Sequence, residues 1–211
     1  MILITLILLL LLFLFVYSYA LSIKDHRANL RAQYKQAVEN YLAEKYREEM
    51  IVHDDVELYD PRRVTVHLKS NPEIVFPVWG REGVAIWEEY LQVQLCFDAQ
   101  QRFAAILQQY FPDKFSLDVG GIIWENPDPS GELETNYYLY ELYRKLGRPP
   151  AWEEVGRNVR LGGITISIEG VIENDEQRAD LRQRFEETGC HVERIELSDK
   201  NGMTEDFSFP F

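Results

Sequence analysis

The polar cluster with the clearest chemical potential in this chain is His53-Asp54-Asp55, a histidine followed by two carboxylates. Such side chains can bind a metal ion, and an imidazole can act as a general base near neutral pH. The segment 51–59 is predicted to be a strand, however, and adjacent residues of a strand point to opposite faces. His53 therefore shares a face with Asp55 and not with Asp54, and a solvated strand surface is favoured over a site.

The other candidate ligands lack the partners that a metal site needs. His67 lies on the polar side of its predicted strand, and His26 and His191 have no partner at ligand spacing. The segment NPDPSG at 126–131 imitates the first half of a calcium-binding EF-hand loop, but Tyr137 stands where the bidentate glutamate belongs. No H-E-x-x-H, G-x-S-x-G or Cys–His motif occurs. The sequence therefore predicts no catalytic residue, no metal site and no cofactor.

Aromatic side chains form the candidate interaction surface. Four tyrosines of a predicted helix at 133–146, with a tryptophan nearby, could stack against a sugar or a peptide. Residues at these spacings spread over more than one face of a helix, so packing in the core is the alternative for some of them. The five residues are Tyr137, Tyr138, Tyr140, Tyr143 and Trp152.

Cys96 and Cys190 are the only cysteines of the chain, and they lie far apart in the sequence. Two such residues make neither a disulfide framework nor a zinc site. Cys96 falls in a predicted apolar helix, where a thiol behaves as a small hydrophobic group.

Hydrophobic periodicity predicts an α+β fold. Apolar residues at steps of three and four predict a helix at 29–50. The strict alternation at 63–69 predicts the central strand of a three-stranded antiparallel meander, with partners at 51–59 and 73–79. A long helix at 83–111 follows, because its apolar residues recur at helical spacing up to a proline just beyond its end.

The second half of the chain is predicted to have the order β-α-β-α-β. Its elements are a strand at 115–124, the tyrosine-rich helix, a strand at 164–168, a helix at 174–189 capped by Asn174, and a strand at 191–197. The predicted divisions are 1–23, 24–111, 112–197 (which could share a domain with 24–111) and a tail at 198–211. The tail carries Phe207, Phe209 and Phe211, and it is expected to be loose, with addition of a strand to a partner as the alternative.

The N-terminal segment from Met1 to Ile23 contains no charged side chain, and Lys24 is the first ionised one. As a helix it is about 33 Å long, enough to cross a hydrocarbon core of about 30 Å. Ser18-Tyr19-Ala20 has the small-x-small form of a signal-peptidase site. The apolar run is longer than that of a signal peptide and follows no basic residue, so a retained transmembrane anchor is predicted.

Two arguments about the orientation of this anchor conflict. Lys24, Arg27, Arg31 and Lys35 follow it, and the positive-inside rule then favours a cytoplasmic folded part. An apolar N-terminal segment with a small-residue exit is typical of export, which favours the opposite side. We expect a single-pass protein of the cell membrane with its folded part outside the cytoplasm.

The charge of the chain limits its partners. Lys and Arg total 22 against 35 Asp and Glu, a formal net charge of −13. An acidic surface repels phosphate backbones, so no nucleic-acid partner is predicted, and solubility is the plain explanation of the charge. The expected partners are the lipid bilayer, through residues 1–23, and a protein or peptide.

The segment 34–80 resembles the YfjL-like proteins, which are membrane-anchored proteins of Bacillus-type bacteria without an assigned activity. The shared features are the N-terminal anchor, the helix motif YLAEKY, a tyrosine-bearing strand, a strand of alternating valines and the strand PEIVF. The resemblance implies a location in the bacterial cell envelope and a cystatin-like plan, in which a helix packs on a sheet. It implies no catalytic residue.

These observations lead to the hypothesis of a single-pass, membrane-anchored, non-catalytic interaction module of the bacterial envelope. The alternative is an envelope hydrolase or metal-dependent enzyme whose site forms only in the fold, with His53 or His67 meeting carboxylates in a concave pocket. A structural spacer is the third possibility.

Overall fold

The computed structural model of the protein describes residues 2–81, 86–124, 135–157, 159–170, 172, 174–199 and 204–208, without the side chains of 2–9, 124 and 204–208. The described residues form four α helices and ten β strands. This arrangement confirms the predicted α+β class. The chain divides into two compact units, Met1–Glu88 and Glu89–Phe211.

Unit 1 begins with one continuous helix, α1, from Ile2 to Lys45. The predicted anchor and the predicted helix at 29–50 are therefore parts of the same element. Large apolar side chains between Leu10 and Ile23 are 39–69% exposed. The structure describes the side chains of α1 from Leu10 onward. Within the described side chains, no helix is long and apolar enough to cross a membrane.

The second half of α1 packs on a sheet. Tyr34, Val38 and Leu42 are buried at steps of four residues along the helix, which is the spacing that places side chains on one face. The Tyr34 hydroxyl donates to the carbonyl oxygen of Val78 at 3.3 Å, and burial raises the pKa of Tyr34 to about 12. This face of α1 is therefore fixed to the sheet by both apolar and polar contacts.

The sheet of unit 1 is antiparallel and has four strands in the order β1-β2-β3-β4. The strands are β1 (Met50–Val52), β2 (Arg62–Leu68), β3 (Val75–Gly80) and β4 (Trp87–Glu88). Its β2 shows the predicted alternation, since Val64, Val66 and Leu68 are buried. The prediction of three strands was wrong, because β4 is a fourth strand of this sheet. The predicted strand at 51–59 was too long, because β1 ends at Val52.

The strand β4 occupies the place where the long helix was predicted to begin. Trp87 pairs with Trp79 and Glu88 pairs with Val78 across the ladder with β3. The two indole rings stack with centroids 6.3 Å apart. Trp87 has helical spacing to the apolar residues that follow it, but cross-strand pairing outweighs that local preference.

The described residues of unit 2 form three α helices and six strands. They are α2 (Tyr90–Tyr110), β5 (Phe115–Val119), β6 (Ile122–Trp124), α3 (Thr135–Leu146), β7 (Val159–Leu161), β8 (Ile164–Ile168), α4 (Asp175–Glu187), β9 (Arg194–Ser198) and β10 (Thr204–Ser208). A four-stranded sheet has the order β10-β9-β8-β5, and β6 pairs with β7 in a second sheet. Within the first sheet β8 and β9 are parallel, and the other pairs are antiparallel.

The predicted strand at 115–124 is in fact two strands of different sheets. The chain changes sheets at Gly120-Gly121, and a Cβ atom on Gly120 would lie 2.9 Å from the carbonyl oxygen of Gly163. No side chain tolerates so close a backbone, so glycine permits the crossing at this point. The prediction of a loose tail was also wrong for its described part, because Thr204–Ser208 pairs with Arg194–Ser198 as β10.

The helix α2 packs on β5, α3 and α4 within unit 2, although the sequence placed it in the division 24–111. Its residues Leu95, Phe103 and Leu107 are buried. The predicted cap of α4 is present, since Asn174 Oδ1 accepts a hydrogen bond from the Gln177 amide at 2.8 Å. These helices form the apolar centre of unit 2 together with the buried face of β8.

Candidate interaction surface

Two of the five aromatic residues predicted to form an interaction surface lie in the core. Tyr143 is 3% exposed and Trp152 is fully buried. The indole N–H of Trp152 donates to the carbonyl oxygen of Leu95 at 3.0 Å, which satisfies its polar atom inside the protein. Tyr140 stacks on Tyr143 with ring centroids 6.3 Å apart. These positions serve the packing of α3 and of the turn at Trp152–Glu154.

The remaining tyrosines of α3 are more accessible. Tyr137 is 54% exposed. Tyr138 is half-buried, and its hydroxyl accepts a hydrogen bond from the Gly156 amide at 3.0 Å. The five residues therefore do not share one exposed face, and the interaction role of the accessible ones stays a prediction.

His53, which directly follows β1, meets His67 of β2 on the surface of the sheet of unit 1. His53 Nε2 lies 2.5 Å from His67 Nδ1, and the rings meet edge to face with centroids 4.8 Å apart. The His53 amide donates to the Thr65 carbonyl oxygen at 3.0 Å, which continues the β1–β2 ladder beyond Val52. The pair is solvent-exposed, whereas the enzyme hypothesis expected a concave pocket.

The carboxylates beside this pair bind neighbouring groups. Asp55 accepts hydrogen bonds from the amide and the hydroxyl of Thr65, at 3.1 and 2.5 Å. Partial burial would raise the pKa of Asp55, but these hydrogen bonds hold it below its ordinary value. Asp54 accepts from Lys35 at 2.5 Å, which lowers its pKa. In the described part of the chain, no three or more His, Cys, Asp or Glu side chains are grouped to hold a metal ion.

Of the other candidates from the sequence, His191 is described in the structure, whereas the loop at 126–131 and the aromatic side chains of the tail are not. His191 packs its ring edge to face with Trp152, 6.2 Å between centroids. The loop at 126–131 and the residues Phe209 and Phe211 lie outside the described residues, as does the side chain of Phe207.

Both thiols are free and poorly reactive. Burial raises the pKa of Cys96 to about 11 and that of Cys190 to about 12. Because the thiolate is the reactive form, neither residue offers a nucleophile near neutral pH.

A buried ion pair in unit 1 was missed by sequence reasoning. Glu88 Oε1 accepts from Lys45 Nζ at 2.7 Å and from the Tyr46 hydroxyl at 2.7 Å. The Glu88 side chain is 2% exposed and that of Lys45 is 19% exposed. Burial would lower the pKa of Lys45, but the Glu88 carboxylate raises it above its ordinary value. The ion pair ties the last residue of α1 to β4.

Unit 2 has a more exposed ion pair, which is formed by Arg102 and Glu153. Arg102 Nη1 donates to Glu153 Oε1 at 2.5 Å and to the Thr188 carbonyl oxygen at 2.6 Å, and its Nη2 lies 2.9 Å from Asp98 Oδ2. The hydrogen bond from Arg102 lowers the pKa of Glu153. The Glu153 side chain remains 57% exposed. Arg102 thus joins α2 to the turn at Trp152–Glu154 and to the end of α4.

The most suggestive surface is the face of the unit 1 sheet that points away from α1, which we call the outer face. Its side chains form cross-strand rows, including Ile51–His67–Val75 and Arg63–Trp79–Trp87. Ile51, Val75 and Trp87 are 41%, 46% and 37% exposed. Clustered exposed apolar groups with a polar border are typical of protein contact surfaces, and tryptophan often dominates their binding energy.

Comparison with known proteins adds no relative: no family model matches the chain, and no curated protein or solved structure shows significant similarity to it.

Proposed function

We propose that the protein is a single-pass, membrane-anchored, non-catalytic α+β protein of the bacterial envelope that acts by protein or peptide contact. One observation about α1 carries the proposal. Side chains from Leu10 to Ile23 are exposed around the whole helix, whereas Tyr34, Val38 and Leu42 of the same helix are buried. A helix that is apolar all round needs an apolar environment. The uncharged sequence from residue 1 onward gives it the length for a bilayer.

The outer face is the proposed contact surface for the partner. It offers the stacked rings of Trp79 and Trp87 with Arg63 in one cross-strand row, and Val75 with His67 in another. Aromatic anchors with a polar border favour a protein or peptide over a small molecule, because the surface is a sheet face rather than a cleft.

The relationship to the YfjL-like proteins is part of the same proposal. Their cystatin-like plan requires a helix packed on an antiparallel sheet. The packing of Tyr34, Val38 and Leu42 on the four-stranded sheet supports that plan.

Membrane anchoring is tested by fractionation of the full-length protein. We expect it to sediment with membranes, to resist alkaline carbonate and to dissolve in detergent. Replacing Leu12 and Phe15 together by lysine costs about 2.5–3.5 kcal/mol per charge at a helix centre, so this variant should lose that resistance. A Tyr137→Lys/Val75→Lys variant adds the same charge outside α1 and should stay in the membrane. Recovery of the unchanged protein in the soluble fraction would contradict anchoring.

Orientation requires an introduced thiol, because Cys96 and Cys190 are only partly exposed and their pKa values are raised by burial. Asp175 has a side chain that is 96% exposed, so Asp175→Cys in a Cys96→Ala/Cys190→Ala background is a suitable reporter. A membrane-impermeant thiol reagent should label it in intact cells if the folded part is extracytoplasmic. Labelling only after permeabilisation would place the folded part in the cytoplasm.

The contact surface is tested by site-specific crosslinking in membranes. A photoreactive residue at Val75 should give one discrete crosslinked species, and Trp87→Arg should abolish it. The same residue at Tyr137 should not give that species, and Tyr137→Arg should leave it intact. Equal effects of both arginine substitutions would remove the outer face from consideration.

A further inference from the structure

Unit 1 contains a cavity of about 390 Å³ at the point where α1 leaves its apolar run. The helix forms one wall and the segment after β1 forms the other. The lining residues that matter here are His26, Arg27, Arg31, Val56, Glu57 and Tyr59.

Both walls of this cavity are fixed by the fold. Arg27 and Arg31 are one helical turn apart and therefore share a side of α1. On the other wall Val56 is 5% exposed. The Glu57 amide donates to the Arg63 carbonyl oxygen at 2.8 Å, and the Arg63 amide donates to the Glu57 carbonyl oxygen at 3.1 Å. The cavity is thus held by a helix and by a bridge to β2.

The charge of the cavity is opposite to that of the chain as a whole. Two arginines, Arg27 and Arg31, line it against a single acidic residue, Glu57, and His26 is a further lining residue. Residues 24–35 contain four Lys or Arg and one Asp or Glu, whereas the rest of the chain contains 18 and 34. Repulsion of anions, expected from the net charge, therefore does not apply at this position.

The position of the cavity along α1 coincides with the membrane interface. The uncharged N-terminal run ends at Ile23, and Arg27 lies about 6 Å and Arg31 about 12 Å beyond it along the helix axis. The headgroup layer on each side of a bilayer is about 5–7 Å thick, so Arg27 falls within it, and Arg31 lies one helical turn further out, from where its long side chain can reach back to the headgroups. Tyr59, 84% exposed, is a lining residue of the cavity and has a side chain type that is enriched at membrane interfaces.

We infer that this cavity binds the phosphate group of an anionic phospholipid. Arg27 and Arg31 donate to the phosphate oxygens, for which the planar guanidinium is well suited. The Tyr59 ring lies against the glycerol end of the lipid. This inference rests on the proposed membrane anchoring, and it assigns a specific lipid contact to a protein that would otherwise only be tethered.

Native mass spectrometry of the full-length protein in mild non-ionic detergent tests the inference. Titration with phosphatidylglycerol should give one saturable adduct, bound more tightly than phosphatidylcholine. Arg27→Gln/Arg31→Gln should weaken it by about tenfold or more, since each arginine contributes charge-assisted hydrogen bonds. Lys69→Gln makes one of the same charge changes elsewhere on unit 1, where Lys69 is 56% exposed, and should leave the adduct unchanged.

Three results would overturn the inference. The first is equal binding of phosphatidylglycerol and phosphatidylcholine, and the second is equal binding of phosphatidylglycerol by the double variant and the unchanged protein. The third is competition by inorganic phosphate at the same concentration as the lipid, which would identify a site for free anions. The carbonate test of membrane anchoring is independent of these residues, so failure of lipid binding with intact anchoring refutes the cavity alone.

Discussion

The two units of the protein each contain an ion pair that joins distant elements, but the two pairs differ in burial. In unit 1 Lys45 binds a carboxylate, that of Glu88, which is 2% exposed. In unit 2 Arg102 binds the carboxylate of Glu153, which is 57% exposed. A buried charge that loses its partner has no water to replace it, whereas an exposed one does. The same type of contact should therefore matter much more in unit 1.

Loss of the Lys45 charge is expected to have the largest effect. Lys45→Met removes the ammonium group from the buried Glu88 carboxylate, so unit 1 should lose about 3 kcal/mol of unfolding free energy. Native-state hydrogen exchange of amides in β2 and β3 measures that loss. Lys69→Met is the matched control, because the Lys69–Glu49 pair is exposed on both sides and should contribute less than about 1 kcal/mol.

A double substitution sharpens this prediction. Lys45→Met with Glu88→Met removes both charges, so the penalty of a buried carboxylate without its lysine disappears. Unit 1 should recover most of the stability lost in the single variant. An additive loss in the double variant would show that packing, and not charge, holds α1 to β4.

Removal of the Tyr46 hydroxyl should have an intermediate effect. Tyr46→Phe deletes one hydrogen bond to the Glu88 carboxylate but keeps the ring and the Lys45 contact. Hydrogen bonds to charged groups contribute about 1.5–3 kcal/mol, and we expect the lower end because Lys45 remains. Exchange rates in β4 and β3 report the change, and Tyr137→Phe serves as an exposed control.

In unit 2 the largest expected effect comes from Arg102. Arg102→Met removes the donor to the buried end of α4 at Thr188 and should cost about 1–2 kcal/mol. The loss should appear in amides of α2 and α4 and not in β2 or β3. Arg144→Met, which removes an exposed arginine of α3, should be nearly silent. If Arg102→Met cost more unfolding free energy than Lys45→Met, the exposed ion pair would matter more than the buried one, contrary to the expectation.

The smallest effect is the acid response of the Arg102–Glu153 pair. The Arg102 hydrogen bond lowers the pKa of Glu153, so the folded state holds its proton less tightly than the unfolded state. The resulting stability is present above the unfolded pKa of about 4.3 and is lost as the pH falls through the lower, folded value. It should be less than about 1 kcal/mol. Glu153→Gln should flatten this part of the pH profile in urea unfolding.

The sequence predicted those elements whose signals are local. The alternation around Val64 and Val66 identified β2, and Asn174 with Gln177 identified the start of α4. In both cases neighbouring residues carry the information. The existence of α2 was predicted as well, because its apolar residues recur over many turns.

The features that the sequence did not predict depend on contacts between distant residues. Trp87 has helical spacing to its neighbours, and only its partner Trp79 reveals β4. Burial of Glu88 depends on Lys45, which is 43 positions away, and a glutamate on its own predicts an exposed position. The His53–His67 contact likewise requires the register of β1 on β2, which no single segment specifies.

The unbroken course of α1 from Ile2 to Lys45 has a mechanical consequence. A helix without a kink transmits rotation, so the sheet packed on its second half turns as one body with its first half. Each residue inserted between Ile23 and Tyr34 would rotate the sheet by about 100° and lift it by about 1.5 Å. The number of residues in that interval therefore determines the orientation of the sheet about the axis of α1.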